Sequence, residues 1–164
     1  MIKIYLASDH AGVELKSKIY KALLDPDFSK EIRREIHDLG PQSTDSVDYP
    51  DYADILCRKL HGFSLISSDA PAKIQLKDFG ILICGSGQGM SMRANKWDHI
   101  RAALCWTSEV AKLAREHNDA NVLCLGSRVI DHDLCIEIVK TFMTTVFLGG
   151  RHAQRVAKIN LQLP

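Results

Sequence analysis

The chain lacks an excess of charge of either sign. Its 164 residues include 21 Lys and Arg against 20 Asp and Glu, so the formal net charge is +1. Proteins that bind nucleic acid or anionic membranes through their overall field carry a marked positive excess. We therefore expect neither nucleic acid nor a membrane as a partner, and any anion must be bound by a local cluster of groups.

Long apolar runs are also missing. No stretch approaches the roughly 20 apolar residues that cross a bilayer, although 46% of the residues are hydrophobic. Met1 leads directly into the strand-like segment IKIYLAS, without the basic stretch and cleavage site of a secretory signal. The sequence predicts a soluble, cytoplasmic protein.

The cysteine content argues against a disulfide framework and against a zinc site. Cysteines are odd in number and lie mostly inside apolar segments, a pattern typical of reduced thiols. No Cys and His residues have zinc-finger spacing, so we expect no structural metal. The five cysteines are Cys57, Cys84, Cys105, Cys124 and Cys135.

Strand-like and helix-like segments alternate along the chain. The alternation predicts an α/β fold, a single domain over residues 1–164 with a doubly wound, Rossmann-like sheet of about five parallel strands and helices on both faces. Segment 30–39 also contains helix formers, but a strand over 34–39 is favoured. Segment 62–77 has no clear period and is expected to be a long connecting loop. The other predicted strands cover 2–7, 79–84, 100–106 and 120–125, and the predicted helices cover 13–24, 48–60, 107–118 and 134–147.

Three strand ends carry polar groups that can do chemistry. Asp9 and His10 follow the first strand, Cys84-Gly85-Ser86 follow the central strand, and Gly126-Ser127-Arg128 follow the last strand. In a parallel sheet with right-handed crossovers all strands end at one edge, where ligands of such folds bind. We expect the three strand ends to face one crevice, with Asp9 orienting the imidazole of His10.

Cys84 is the strongest candidate for a reactive group. It ends an apolar strand and is followed by the glycine-rich turn GSGQG at 85–89, which opens a helix. Backbone N–H groups that converge at a helix start favour a thiolate over a thiol and can hold an anion. The turn has neither the glycine spacing of dinucleotide-binding folds nor the lysine of phosphate-loop NTPases, so we interpret its amides as an anion hole for a substrate oxygen. The alternative is a small buried hydrophobic residue, the preferred interpretation for the other four cysteines.

Two further groups lie outside these strand ends. His117 and Asn118 end a helix whose carbonyl groups would support a protonated imidazole. Arg151 and Arg155 are four residues apart, so a helical tail would place both guanidinium groups on one face, where they can bind a phosphate. The alternatives are a surface histidine and a solvated charged turn.

Six ordered motifs, spread over nearly the whole chain, carry a resemblance to a known family. They are SDHAG at 8–12, DYPDYA at 48–53, GILICGSG at 80–87, ANK at 94–96, REHNDANVL at 115–123 and GGRHAQRV at 149–156. Together they resemble the ribose-5-phosphate isomerase B family, whose relatives include the galactose-6-phosphate isomerase subunits. The resemblance implies an aldose–ketose isomerase that acts on a phosphorylated sugar through a cis-enediol intermediate, with no metal and no cofactor.

The resemblance also implies roles for single residues. Cys84 matches the family residue that removes the proton from C2, His117 matches the residue that opens the furanose ring, and Ser86 supplies a hydroxyl near the thiol. Family sites combine residues of two subunits, which implies a homodimer or tetramer with shared active sites and a C-terminal tail, 148–164, that packs on the partner. Ten further positions match substrate-binding residues of the family, and their three arginines match the residues that bind the phosphate. These positions are Asp9, His10, Tyr49, Gly85, Gly87, Gly89, Asn118, Arg128, Arg151 and Arg155.

The favoured reaction is the interconversion of ribose 5-phosphate and ribulose 5-phosphate. Gln88 and Met90 occupy loop positions that vary among relatives with different sugars, so a six-carbon substrate such as allose 6-phosphate or galactose 6-phosphate is the alternative within the same chemistry. Segment 62–77 is longer than the connection usual in the family. A non-catalytic sugar-phosphate sensor and a cysteine hydrolase with Cys84 as nucleophile are the alternatives from other classes.

Overall fold

A computed structural model describes residues 1–60 and 77–159 of the chain. The strands are β1 (Ile2–Ser8), β2 (Arg34–Asp38), β3 (Phe79–Cys84), β4 (Ala102–Leu104) and β5 (Val122–Gly126). The helices are α1 (Val13–Leu24), α2 (Tyr49–Lys59), α3 (Gln88–Ala94), α4 (Ser108–Asn118), α5 (His132–Thr144) and α6 (Arg151–Ile159). All strand pairs are parallel, and the order in the sheet is β2-β1-β3-β5-β4. The predicted α/β fold and the strand near 34–39 are confirmed, whereas the predicted loop 62–77 lies outside the described residues except for Lys77.

Helices cover both faces of the sheet. Successive residues of a strand point to opposite faces, and β1 accordingly buries Ile4 and Leu6 on one side and Tyr5 and Ala7 on the other. Helices α1, α4 and α5 pack on the first face, and α2 and α3 pack on the second. Strands β3 and β5 are buried along their whole length, which explains why their sequences read as continuous apolar runs. Among the described residues, no helix is long and apolar enough to cross a membrane.

Strand β4 is shorter than the predicted strand 100–106. Side chains take up backbone groups at its start: Arg101 N–H donates to Asn121 Oδ1 at 2.7 Å, and the N–H of Ala102 donates to Asn95 Oδ1 at 2.8 Å. Asn95 Nδ2 also donates to the carbonyl of Ala102 at 2.9 Å. The asparagine thus occupies the outer edge of β4 where a further strand would otherwise pair.

Helix α5 begins earlier than predicted, at His132 rather than at Leu134. The side chain of Asp131 accepts the N–H groups of Asp133 at 2.9 Å and Leu134 at 3.2 Å, which is the bonding of a helix N-cap. The helix also ends earlier, at Thr144 rather than at 147. The N-cap at Asp131 therefore accounts for the earlier start of the helix.

The segment after α5 turns at two glycines. Gly149 and Gly150 have φ values of 64° and 54°, in the left-handed region that glycine adopts without steric cost. Helix α6 starts directly after them and packs against α4 through His152 and Val156, its two buried residues. Arg151 and Arg155 thus lie on a helix, as their four-residue spacing suggests.

Candidate active site

The carboxyl ends of β1, β3 and β5 lie side by side. Asp9 N–H donates to Ile83 O at 3.0 Å, Ser127 N–H donates to Cys84 O at 2.9 Å, and Arg128 N–H donates to Gly85 O at 3.0 Å. These bonds join the loops after the three strands into one continuous rim. The prediction that the three strand ends meet is confirmed.

Ser127 fixes the three loops relative to one another. Its hydroxyl lies 2.8 Å from the carbonyl oxygen of Ala11, in the loop after β1, and 3.2 Å from that of Cys84, at the end of β3. A hydroxyl that donates to carbonyls of two other loops restrains all three. Sequence reasoning placed Ser127 at the rim but assigned it no role, because these bonds depend on the order of the strands in the sheet.

Cys84 faces the side of the sheet that α2 and α3 cover, and it is only 6% exposed. The N–H of Gly87 donates to its Sγ at 3.1 Å. Gly87 has a φ of 78°, so the turn that returns this amide to the sulfur needs glycine. An amide N–H directed at the sulfur stabilises negative charge there. The geometry expected for a reactive thiol at a glycine turn is present.

The other four cysteines have thiols whose pKa is raised by burial. Burial raises the pKa of Cys57 and of Cys105 to about 12, and that of Cys135 to about 11. It also raises the pKa of Cys124, which is fully buried. These thiols stay protonated near neutral pH and serve as core residues, as the sequence predicts.

The glycines of the loop 85–89 leave space for neighbouring side chains. A Cβ on Gly85 would lie 3.3 Å from Cδ of Arg128, and a Cβ on Gly89 would lie 2.6 Å from Cζ of Tyr49. The ring of Tyr49 therefore lies against the backbone of Gly89, while the Arg128 side chain runs along Gly85. Ser86 is exposed on the same loop, and its Oγ accepts the N–H of Gln88 at 3.3 Å.

Asp9 does not orient the ring of His10, and that expectation is wrong. One oxygen of the Asp9 carboxylate accepts the N–H groups of Ala11 at 2.9 Å and Gly12 at 3.2 Å, so it caps the short 3-10 turn His10–Gly12. The ring of His10 is held instead by Val47, whose N–H donates to Nδ1 at 3.3 Å. A capping position satisfies the carboxylate locally, which is the usual behaviour of Asp before a helical turn.

His117 and Asn118 lie at the amino ends of the strands, which we call the amino edge of the sheet, whereas Cys84 lies at the carboxyl ends, the carboxyl edge. Helix α4 runs antiparallel to the strands, and its last turn reaches the amino ends, where Arg101 Nε, just before β4, donates to Asn118 O at 3.1 Å. The strand length separates the two edges by roughly 16 Å, at about 3.3 Å per residue. Within one chain, the structure does not bring His117 and Asn118 to the thiol.

A buried carboxylate, that of Asp119, binds three cationic side chains at the amino edge. Asp119 accepts from Arg101 Nη2 at 2.9 Å, from Arg115 Nη1 at 3.2 Å and from Lys77 Nζ at 3.2 Å. Three cations around one carboxylate leave a positive charge beside Asn118. This cluster could not be recognised from the sequence, because its members come from three separate segments that only the fold brings together: Lys77, Arg101, and the end of α4 with Arg115 and Asp119.

The arginines of the tail lie at the same edge as His117. The rings of His117 and His152 are stacked, with centroids 4.2 Å apart and planes inclined by 4°. His152 belongs to the first turn of α6, with Arg151 before it and Arg155 one turn later, so the two guanidinium groups lie on one side of the helix. Burial lowers the pKa of His152, and the positive charges of His117, Arg151 and Arg155 lower it further.

The candidate residues thus form two groups at opposite edges of the sheet. The carboxyl-edge group offers a thiol that can act as a base, amides that can stabilise an oxyanion, and one guanidinium. The amino-edge group offers an imidazole for proton transfer and two guanidiniums for an anion. The carboxyl-edge group consists of Asp9, His10, Tyr49, Cys84, Gly85, Ser86, Gly87, Gly89 and Arg128, and the amino-edge group consists of His117, Asn118, Arg151 and Arg155.

Known proteins resemble this chain over nearly its whole length. Residues 4–159 match the model of a family described as Ribose/Galactose Isomerase. The chain belongs to the ribose/galactose isomerase family. A curated member, ribose-5-phosphate isomerase B of Escherichia coli (strain K12), is 38% identical over 159 residues, which cover 97% of this chain and 95% of that protein. The family resemblance carried by the six sequence motifs is confirmed.

Solved structures of this isomerase family share the fold. The ribose 5-phosphate isomerase of Thermotoga maritima is 47% identical, with a TM-score of 0.79 and 97% of each chain covered. Ribose-5-phosphate isomerase B of Mycoplasma genitalium, solved with bound ribulose-5-phosphate, is 41% identical, with a TM-score of 0.81 and 97% of this chain and 94% of that chain covered. The similarity covers 97% of this chain, and the family model spans residues 4–159, so both edge groups lie within the part of the chain shared with these relatives.

Proposed function

We propose that this isomerase interconverts ribose 5-phosphate and ribulose 5-phosphate by proton transfer at Cys84, without a metal or a cofactor. The observation that carries the proposal is the placement of Cys84 Sγ at the end of β3, 3.1 Å from the N–H of Gly87 in an amide-lined turn. The bound ribulose-5-phosphate of the Mycoplasma genitalium relative supports the choice of substrate.

The first proposed step opens the furanose ring. His117 accepts the proton of the C1 hydroxyl, whose electron pair forms the C1 carbonyl as the bond from C1 to the ring oxygen breaks, and the imidazolium so formed donates a proton to that oxygen. An imidazole suits this step because it both accepts and donates protons near neutral pH. The amide of Asn118, the next residue, is assigned to a sugar oxygen.

The second proposed step moves the carbonyl from C1 to C2. The thiolate of Cys84 removes the proton from C2, the electrons form a double bond between C1 and C2, and negative charge develops on O1. Ser86 relays a proton from O2 to O1, and the thiol returns its proton to C1 to give the ketose. Amides of the loop 85–89 stabilise the enediolate, since fixed N–H dipoles are already directed at that charge.

Arginines are proposed to bind the phosphate. Arg128, Arg151 and Arg155 present forked guanidinium groups that suit phosphate oxygens, and His10 lies on the same rim as Arg128. A phosphate held by several cations fixes the carbon skeleton, so that C2 lies against the thiol. Asp9 and Tyr49 are assigned to the sugar hydroxyls.

These steps require both edge groups at one substrate, and we infer that two copies of the chain form each active site. Arg151 and Arg155 are exposed in the single chain, as residues that meet a ligand bound to a partner must be. The proposed assembly is a homodimer, alone or paired into a tetramer, in which the tail from residue 148 of one copy packs beside the thiol loop of the other.

An assay with sugar phosphates of two sizes tests the proposed substrate. Wild-type protein is expected to convert ribose 5-phosphate with a kcat/KM at least about tenfold above that for allose 6-phosphate or galactose 6-phosphate, because one extra carbon displaces either C2 or the phosphate. The six-carbon substrates are the second candidate, since the family description names galactose beside ribose. A preference for the hexose phosphates would overturn the choice of pentose and leave the isomerase chemistry in place.

Substitution of His117 is expected to separate ring opening from proton transfer at the thiol. Ribulose 5-phosphate has no ring to open, because its 5-hydroxyl is esterified, whereas ribose 5-phosphate must first be opened. In His117→Ala we expect kcat/KM for conversion to fall about 100-fold in both directions, while exchange of the C1 hydrogen of ribulose 5-phosphate with solvent deuterium, which needs only Cys84, falls less than about fivefold. Equal losses of conversion and of exchange would show that His117 does not act in ring opening.

A further inference from the structure

His152 has no part in the steps above, although its ring covers one face of the proposed ring-opening imidazole. We propose that His152 is a positioning residue for His117, whose plane it fixes by parallel stacking so that a ring nitrogen faces the substrate oxygen. The inference rests on the proposed function, because it concerns the ring-opening step.

The stack is the contact that sets the orientation of His117. The two ring centroids are 4.2 Å apart and the planes differ by only 4°, so the rings meet face to face. In the described part of the chain, no side chain or backbone group forms a hydrogen bond with either ring nitrogen of His117. Both nitrogens are therefore available for substrate, and rotation of the ring is opposed by the aromatic surface of His152, which is only 8% exposed.

The charge state of His152 suits this role. Its pKa is lowered first by burial and then by the positive charges of His117, Arg151 and Arg155, with Glu116 acting in the opposite direction. A neutral ring presents an electron-rich face to the imidazolium that forms when His117 accepts a proton. Two protonated rings at this distance would repel each other and separate.

The stack also anchors the helix that carries the proposed phosphate-binding arginines. Gly149 and Gly150 precede α6 with positive φ, and a Cβ at either position would contact no described residue beyond its chain neighbours, so side-chain contacts do not fix the turn itself. Only His152 and Val156 are buried on α6. Val156 thus offers a matched control, since its truncation loosens the helix without removing the stacked ring.

Two variants of His152 test the proposal by shape. His152→Phe keeps a flat uncharged ring, and both directions of the reaction should stay within about threefold of wild type. His152→Leu keeps an apolar side chain without the flat face. We expect it to lower kcat/KM for ribose 5-phosphate about tenfold but to lower exchange of the C1 hydrogen of ribulose 5-phosphate with solvent deuterium less than about twofold, because only ring opening requires an oriented His117.

The control and a spectroscopic measurement separate positioning from a merely structural role. Val156→Ala should lower conversion of ribose 5-phosphate and deuterium exchange at C1 of ribulose 5-phosphate by the same factor. In NMR spectra the ring-current shift of the His117 carbon-bound protons should persist in His152→Phe and vanish in His152→Leu. Equal losses of conversion and of deuterium exchange in His152→Leu, or wild-type behaviour of that variant, would overturn the inference. If the wild type does not isomerise ribose 5-phosphate, the proposed function fails instead, and the NMR comparison still decides whether His152 orients His117.

Discussion

Cys84→Ala is expected to abolish isomerisation while the protein still binds a phosphorylated ligand. Removal of a positioned general base lowers turnover by about 100- to 10,000-fold, and we expect at least about 1,000-fold here because the thiol is the proposed base at C2 in both directions. Turnover is measured with ribose 5-phosphate and with ribulose 5-phosphate. Binding is measured by calorimetry with ribitol 5-phosphate, which lacks a carbonyl, and its Kd should stay within about threefold because the arginines are unchanged.

In the structure, Cys84→Ala removes the thiol and leaves the backbone restraints of its loop in place. The side chain removed is a single sulfur whose hydrogen bond comes from the N–H of Gly87. The loop retains its other restraints, which are the bonds from Ser127 N–H to Cys84 O and from Arg128 N–H to Gly85 O. Cys57→Ala is the matched control, since Cys57 is a buried thiol packed on the same face of the sheet and burial raises its pKa to about 12. Its kcat should remain within about twofold of wild type.

The turnover and binding assays, together with covalent trapping on Cys84, distinguish the three classes of function. Unchanged turnover in Cys84→Ala would exclude the thiolate mechanism. Wild-type protein that binds ribitol 5-phosphate but converts neither sugar phosphate would be a sensor, for which the arginines suffice and the thiol has no task. An acyl-enzyme trapped on Cys84 during turnover would identify a cysteine hydrolase.

Local pattern was sufficient to predict the sheet and the carboxyl-edge group. Apolar runs bounded by glycine or polar residues give β1, β3 and β5, and parallel topology then places Asp9, Cys84 and Arg128 on one rim. Errors arose where side chains compete with the backbone. Asn121 Oδ1 accepts the N–H of Arg101, so that β4 begins only at Ala102, and the carboxylate of Asp9 caps a turn instead of holding a ring.

The separation of the two edge groups was also available from topology. A helix that follows a parallel strand runs back toward the amino ends, so the end of α4 must lie opposite the rim that carries Cys84. The stack of His117 on His152 was not available, because it joins two helices whose mutual position depends on the backbone conformation of Gly149 and Gly150. Residue type alone predicts that His117 is a surface histidine, and only the packing of α6 brings the ring of His152 against it.

Mixing two inactive variants is expected to restore activity if each site combines the two edge groups of different subunits. Cys84→Ala and His117→Ala should each convert ribose 5-phosphate at about 1% of the wild-type rate or less. After the two are mixed in equal amounts and allowed to exchange subunits, a site is intact when its thiol comes from a His117→Ala chain and its imidazole from a Cys84→Ala chain. Random assembly makes this so for about one quarter of the sites, in a dimer and in a tetramer alike.

The double variant Cys84→Ala/His117→Ala, mixed with wild type, is the control for that result. Before subunit exchange this mixture has half the wild-type activity. If the sites are shared, exchange lowers its activity to about one quarter of wild type. The mixture of the two single variants should rise from near zero to the same value. Sites built within one chain would leave both mixtures at their starting values. Because the distance between the edges of the sheet, roughly 16 Å at about 3.3 Å per strand residue, is too great for one sugar phosphate to bridge Cys84 and His117 of the same chain, we expect the two curves to converge.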